Sequence, residues 1–226
     1  MDANLMVNIL EEMLRDGSLK KSDLSRFTEM EEDETIPEVV RCKMERWYIS
    51  LGIEDVIKRK LKLSAPYFTQ DELKQIKENN EVLCCLPKGV TLSELCELFR
   101  CKLWINEDSL VSRHVEEEDL WFAAKIEENP EYMDCMGREI QQIIKKNNLL
   151  NLTAERYIVL VNTLHVFYDM DIDDTYKTWI PMTRYEKKAM LIGGFDSNKK
   201  LSFQAWMPNF HTPYVGGRGI RICDHI

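Results

Sequence analysis

The feature that most constrains the fold is a pair of apolar runs separated by five polar residues. The first run, Ala189 to Phe195, is almost continuously apolar, and the second, Leu201 to Met207, alternates apolar and polar side chains. This alternation is typical of a β-strand, because successive side chains of a strand point to opposite faces. Asp196 to Lys200 is a cluster of turn-forming residues. The runs therefore predict a β-hairpin, which Pro208 ends because proline has no backbone N–H.

Two adjacent glycines, Gly193 and Gly194, lie inside the first of these runs. Glycine in a strand is typical of a β-bulge or of a place where another group comes close to the backbone. We interpret the pair as a bulge, and the approach of a ligand to the backbone is the alternative.

Helix signals are strongest before the hairpin. Pro37 suits the first turn of a helix, because backbone N–H groups in that turn have no acceptor within the helix and proline lacks an N–H. Thr69 and Thr91 are each followed three residues later by glutamate, which is the pattern of a capping box. Thr153 is the predicted N-cap of a run of about 16 residues, Ala154 to Asp169, whose length favours a helix although its β-branched residues leave a strand as the alternative.

Three short apolar runs, 81–86, 102–106 and 120–126, predict strands in the second part of the chain. The capped helix that begins near Thr91 lies between the first two runs. A strand, a helix and a strand with this spacing predict a parallel α/β unit.

Together these elements predict an α+β fold, with α/β as the alternative. A mainly helical region covers residues 1–80. A mixed α/β region covers residues 81–226 and contains a small mixed sheet with the C-terminal β-hairpin. The boundary is placed near Asn80, and the two regions could equally form one continuous domain.

The composition argues against some function classes. The chain has 226 residues and a formal net charge of −9, so no nucleic-acid partner is predicted, because such partners require a surface that neutralises phosphates. No apolar run reaches the roughly 20 residues that a membrane-spanning helix needs. The first residues lack the basic flank of a signal peptide. We therefore expect a cytoplasmic protein without a membrane partner.

Metal and cofactor sites are not predicted. The seven cysteines include no CxxC pair, so we expect reduced, buried thiols. The acidic segment that begins at Asp169 resembles a calcium loop. An EF-hand loop requires glycine at its sixth position and glutamate at its twelfth, where this chain has Asp174 and Ile180.

No catalytic residue is predicted either. The chain contains no GxSxG, HExxH or kinase motif. Cys223-Asp224-His225 is the one local thiol–imidazole arrangement. Spacing alone does not activate a thiol, since a base must lie within hydrogen-bonding reach.

Two acidic runs, 29–34 and 116–119, lead to the first functional hypothesis. A run of carboxylates is most often a solvated surface, and it can also dock a basic partner. Without a catalytic motif, this pattern favours a protein-interaction module of an immunity-like or inhibitor-like kind, from a bacterium or a phage. Its partner is then another protein.

The second hypothesis is a small-ligand-binding protein or an enzyme with a C-terminal cleft. Trp206, His211, Arg218 and Arg221 flank a glycine-rich segment and would converge in such a cleft. The planar guanidinium of Arg218 could bind a carboxylate or a phosphate, although a salt bridge on the surface or within the protein is the simpler interpretation. The glycines match neither a dinucleotide-binding motif nor a P-loop.

Three segments of the last third of the chain carry a resemblance: NLLNLTAERYIVLVNTLHVFYD, AMLIGGFDSNKKLSFQAWM and PYVGG. Together they resemble a bacterial domain family of unknown function. The resemblance implies a helix, then a two-stranded hairpin with a polar turn, and then a terminal strand that contains glycine. It implies no activity.

Overall fold

The computed structural model describes residues 33–103, 110, 115–186 and 188–222. Close contacts divide the chain into two units, Met1–Glu34 and Thr35–Ile226, and every helix and strand given below lies in the second. Residues 29–32 of the first acidic run and the Cys223-Asp224-His225 arrangement lie outside the described residues. No helix in the described part is long and apolar enough to cross a membrane.

The described residues contain six helices: α1 (Pro37–Ser50), α2 (Ile53–Ile57), α3 (Gln70–Glu78), α4 (Leu92–Leu98), α5 (Gly137–Lys146) and α6 (Ala154–Tyr168). They contain nine strands: β1 (Glu81–Leu86), β2 (Lys102–Leu103), β3 (Leu120–Lys125), β4 (Leu150–Asn151), β5 (Lys177–Tyr185), β6 (Ala189–Phe195), β7 (Leu201–Trp206), β8 (Val215–Gly217) and β9 (Gly219–Ile222). The first three of these helices precede the first of these strands.

The strands form two sheets. The antiparallel sheet has the order β1-β3-β9-β4, and the mixed sheet has the order β2-β7-β6-β5-β8. In the mixed sheet, β6 is antiparallel to both β5 and β7, whereas the edge pairs β2–β7 and β5–β8 are parallel. Helices that pack on sheets built mainly from antiparallel pairs make an α+β fold, which confirms the predicted class.

The predicted parallel unit around α4 is wrong. β1 pairs antiparallel with β3 over six residues. Within the described residues β2 comprises Lys102 and Leu103 and pairs with β7 in the other sheet, and residues 104–106 of the predicted strand lie outside the described part. The pairing with β3 satisfies backbone donors and acceptors along all six residues of β1.

Local capping decides where several helices begin. Pro37 is the first residue of α1. Thr69 and Thr91 form the predicted capping boxes, in which each hydroxyl accepts a glutamate N–H and the same glutamate accepts the threonine N–H. Thr153 caps α6 by accepting the N–H of Arg156 at 3.3 Å. All four predicted helix starts are thus confirmed.

The predicted hairpin is confirmed as β6 and β7, which pair in one continuous register over six residue pairs. Asp196 organises the turn, because its Oδ1 accepts the N–H of Asn198 at 2.8 Å and that of Lys200 at 3.1 Å. β7 ends at Trp206, before Pro208.

Both faces of the mixed sheet are buried. One face carries Ile180 and Leu191 into the larger hydrophobic core, against α6. The other face carries Trp179 and Ile192 into a smaller cluster with Ile140 of α5. Because successive side chains of a strand alternate between faces, α5 and α6 lie on opposite sides of this sheet.

The larger core includes side chains from both sides of Asn80. Trp47 and Tyr48 of α1 are buried in the same cluster as Cys84 and Cys85 of β1. The Tyr48 hydroxyl donates to the carbonyl oxygen of Cys85 at 2.7 Å. Within the described residues, the helical and mixed parts therefore share one core. The division into 1–80 and 81–226 stays a prediction, because residues 1–32 are not described.

Gly193 lets Tyr157 of α6 lie against the backbone of β6. A Cβ built on Gly193 would lie 2.2 Å from Cε1 of Tyr157. The predicted bulge at the glycines is wrong, since β6 keeps its register with β7 there. The irregularity lies instead in β5, between Ile180 and Arg184, where Pro181 has no N–H to offer. A tyrosine ring of the protein itself occupies the close approach.

We expect Gly193→Ala to lower the free energy of unfolding by about 3 kcal/mol, because the added Cβ overpacks the contact with Tyr157. Gly52→Ala is the control, since a Cβ at Gly52 meets no atom within 4 Å and only its φ of +82° is unfavourable. The control should lose about 1 kcal/mol. Urea unfolding followed by circular dichroism measures both, and equal losses would contradict the assigned contact.

Candidate functional site

Arg218 stands where the chain passes from one sheet to the other. β8 in the mixed sheet ends at Gly217, and β9 in the antiparallel sheet begins at Gly219. The Arg218 side chain is 4% exposed, and its Nη2 lies 2.7 Å from Oδ1 of Asp173, whose side chain is fully buried. The interpretation of Arg218 as part of a salt bridge within the protein is confirmed.

The Asp173 carboxylate is satisfied from several sides. Its Oδ2 accepts the hydroxyl of Tyr157 at 2.6 Å and that of Thr178 at 2.7 Å. Burial raises the pKa of the Tyr157 phenol well above its ordinary value, and the negative charge of Asp173 adds to the rise. Tyr157 therefore remains a protonated donor at neutral pH. Three elements meet at one carboxylate: α6, β5 and the β8–β9 junction.

Most hydrogen-bonding capacity of Arg218 is used inside the protein. Nη1 donates to the carbonyl oxygen of Glu127 and Nη2 to that of Glu128, each at 2.9 Å. Nε and the second N–H of Nη2 face Asp173. A guanidinium has five N–H donors, so at most one is left for an external anion. The ligand-binding role of Arg218 stays a prediction that this geometry does not favour.

The segment from Glu127 to Asp134, here called the acidic loop, runs alongside the chain that leads into β8. Arg218 holds its first two carbonyls, and the N–H of Tyr132 donates to the carbonyl oxygen of Gly217 at 3.3 Å. At the far end, Nε2 of His211 lies 3.0 Å from the carbonyl oxygen of Asp134 and 3.1 Å from its Oδ1. These contacts fix the acidic loop along its length.

Glycine in β8 makes this close packing possible. A Cβ built on Gly216 would lie 2.7 Å from both Sδ of Met133 and Cβ of Pro130 in the acidic loop. A Cβ on Gly217 would lie 2.4 Å from Cγ2 of Ile140 in α5. The glycines of the C-terminal segment therefore serve packing against two neighbouring elements.

The segment from Trp206 to Tyr214, here called the aromatic segment, exposes large apolar side chains. Met207 is 54% exposed, Phe210 is 50% exposed and Tyr214 is 64% exposed. Trp206 is partly buried in the smaller cluster, and its ring centroid lies 4.8 Å from that of Phe210. Aromatic residues and methionine are enriched in the centres of protein–protein interfaces.

Backbone hydrogen bonds hold the aromatic segment in place. The N–H of Phe210 donates to the carbonyl oxygen of Met207 at 2.8 Å. The carbonyl oxygens of Pro208 and Tyr214 accept N–H groups of α5 and β5 at 3.3 Å and 3.0 Å. The exposed side chains therefore project from an ordered backbone.

The four residues predicted for a cleft are only partly brought together. Trp206 and His211 lie on the aromatic segment, and Arg218 lies beneath the acidic loop. Arg221 has other partners in the antiparallel sheet region, since its Nη2 lies 2.7 Å from Oε2 of Glu81 and its guanidinium lies 5.9 Å from the ring centre of Phe68. Sequence reasoning missed Met207, Phe210, Tyr214 and the acidic loop, whose exposure has no local sequence signal.

The acidic run 116–119 is partly internal. Glu116 pairs with Arg156 of α6 at 2.9 Å, and both side chains are largely buried. Oδ2 of Asp119 accepts the N–H of Ser64 at 2.6 Å, and Oδ1 accepts that of Lys88 at 2.9 Å. Two of the four carboxylates therefore hold the fold together, so this run contributes less to a docking surface than its sequence suggests.

Among the described residues, no group of three or more His, Cys, Asp or Glu side chains could hold a metal ion. The six described cysteines are free thiols: Cys42, Cys84, Cys85, Cys96, Cys101 and Cys135. Burial raises the pKa of the Cys84 thiol to about 12, so this thiol is a core side chain and not a nucleophile.

Comparisons of the chain with protein-family models, curated proteins and solved structures found no match. The resemblance of the last third to a bacterial domain family of unknown function stays a prediction. What the chain does is therefore inferred from its own geometry.

We expect Arg218→Met to lower the free energy of unfolding by about 3–5 kcal/mol, because it leaves the Asp173 carboxylate buried without its cation. Arg221→Met is the matched control. Its ion pair with Glu81 is formed by an Arg221 side chain that is 32% exposed, so the expected loss is below about 1 kcal/mol. Urea unfolding measures both variants, and comparable losses would show that the buried pair does not anchor the junction.

Burial raises the pKa of the half-buried Glu131 carboxyl, and Glu127 adds to the rise, while Lys125 and Arg218 oppose it. A carboxyl with a raised pKa in the folded state opposes folding once it ionises, so this penalty is absent in acid and appears as pH rises through the raised pKa. We expect Glu131→Gln to stabilise the protein at neutral pH more than in acid. Thermal unfolding across pH tests this, with exposed Glu117→Gln as the control, and a gain that is independent of pH would contradict it.

Proposed function

We propose that this chain is a protein-interaction module without catalytic activity, and that it binds another protein through the aromatic segment. The observation that carries the proposal is the exposure of Met207, Phe210 and Tyr214 on an ordered backbone. Single exposed apolar side chains are normal on protein surfaces, whereas clustered ones mark interaction sites. Here three exposed large apolar residues fall within eight positions, from Met207 to Tyr214.

The geometry favours a preorganised binding surface. Trp206 packs against Trp179 and Phe210, with ring centroids 6.3 Å and 4.8 Å apart. An aromatic anchor that is already ordered loses little conformational entropy when a partner covers it, so more of its contact free energy appears as affinity. If this chain covers the active surface of its partner, it acts as an immunity-like or inhibitor-like protein.

The cleft hypothesis has less in its favour. The guanidinium of Arg218 is used internally, and Arg221 contacts Glu81 and Phe68. His211 contacts Asp134, and Trp206 packs against Trp179 and Phe210. A small-molecule site would instead require convergent polar groups in a concave pocket.

A cytoplasmic location in a bacterium or during phage infection is part of the proposal. Free thiols at the described cysteines suit a reducing compartment. The net charge of −9 argues against nucleic acid as the partner.

The test uses the full chain with a photo-crosslinking benzoylphenylalanine in place of Phe210. We expect it to capture one protein from a lysate of the source cells. The Phe210→Ala/Tyr214→Ala double variant should then bind the purified partner at least about tenfold more weakly, because aromatic anchors carry much of the binding free energy at such interfaces. Biolayer interferometry measures the affinity, and circular dichroism verifies the fold.

Tyr67 supplies the matched control, since its side chain is 59% exposed and it lies between α2 and α3, far along the chain from the aromatic segment. Benzoylphenylalanine at this position should not capture the partner, and Tyr67→Ala should leave the affinity unchanged. Equal capture from both positions, or equal losses in affinity, would refute the aromatic segment as the binding surface.

A further inference from the structure

The acidic loop and the aromatic segment form adjoining parts of one surface. His211 of the aromatic segment contacts Asp134 of the acidic loop. Gly216, two residues after Tyr214, packs on the middle of the acidic loop. A partner that covers the exposed aromatic side chains and extends along the acidic loop would therefore also meet its carboxylates.

The carboxylates of the acidic loop have unused binding capacity. Glu127, Glu128 and Asp134 are exposed, and Glu131 is half-buried. Within the described residues, Glu127 and Glu128 form no ion pair, although their backbone carbonyls are held by Arg218. Their backbone is thus fixed while their charges face solvent.

Cations close to the acidic loop offset its charges only in part, since Lys125 and Arg218 act on the Glu131 carboxyl without preventing the rise of its pKa. Arg218 is buried on an internal carboxylate. Nζ of Lys125 donates to a backbone carbonyl at 3.3 Å, and Nζ of Lys177 donates to another at 3.1 Å. His211 and the exposed Arg138 lie at the far end, near Asp134. The raised pKa of Glu131 reflects both its burial and the charge of Glu127, so an added cation would relieve an existing repulsion.

A second copy of this chain is a poor occupant of this surface. Each copy has a net charge of −9, and like charges brought together at an interface oppose association. A basic partner has the opposite balance, because its cations would meet the Glu127 and Glu128 carboxylates, which form no ion pair within the described residues. Charge complementarity therefore favours a partner with a basic surface over a second copy of this chain.

We propose that the partner binds with a basic segment, in which an apolar side chain contacts the aromatic segment and lysines or arginines further along the same segment contact Glu127 and Glu128. This inference rests on the proposed function and adds the chemistry of the partner. Arg218 is a positioning residue in this arrangement, since it holds the backbone of the two glutamates.

The experiment selects a phage-displayed library of random peptides on the full chain and then measures the enriched peptides by fluorescence anisotropy. We expect the enriched sequences to contain an aromatic residue or leucine together with lysine or arginine elsewhere in the same peptide. Their binding should weaken as salt increases and should fall about tenfold in the Glu127→Gln/Glu128→Gln variant. Glu117→Gln/Glu118→Gln is the matched control, because it removes two exposed adjacent glutamates elsewhere.

Phe210→Ala separates the two proposals. Peptides that depend on Phe210 but show no basic bias, or that bind the Glu127→Gln/Glu128→Gln variant normally, would overturn the basic-segment inference and leave the proposed function standing. Peptides that bind independently of Phe210, or none that enrich, would count against both. A dimer in sedimentation that dissociates in Phe210→Ala would assign the surface to a second copy and overturn the inference.

Discussion

The buried pair of Asp173 and Arg218 is the interaction on which the rest of the structure depends. Removing two charges from water is costly, and the structure compensates with a short ion pair and with donors from Tyr157 and Thr178. Because Arg218 joins β8 to β9, the pair fixes how the mixed sheet continues into the antiparallel sheet. It also fixes the acidic loop through two backbone carbonyls.

Glycine allows the surrounding elements to approach this pair. Tyr157 reaches Asp173 while its ring lies against Gly193, where a Cβ would stand 2.2 Å away. The absence of a side chain at Gly216 likewise lets the acidic loop pack closely against β8. The ion pair, its hydrogen bonds and the lack of side chains at these glycines therefore act together to fix the backbone. The surface residues attached to this backbone are ordered for the same reason. That order is what the proposed interaction function requires, because a preorganised surface loses little entropy on binding.

The proposed surface combines two kinds of contact that serve different purposes. In the proposed complex, exposed aromatic side chains would supply affinity, since they would lose apolar area to the partner. The carboxylates of the acidic loop would supply selectivity and faster association for partners of opposite charge. The acidic run 116–119 looks similar in sequence but is used differently, because Glu116 and Asp119 make internal contacts.

Local sequence determined the helix starts at Pro37, Thr69, Thr91 and Thr153 and the hairpin around Asp196, because capping and turn formation involve neighbouring residues. The α+β class followed from these elements. Only the tertiary structure decided that β1 pairs with β3 instead of β2, that Arg218 binds a carboxylate 45 positions away, and which apolar residues stay exposed. Strand partners, buried charges and surface exposure depend on contacts between distant segments, and a single sequence contains no local pattern for them.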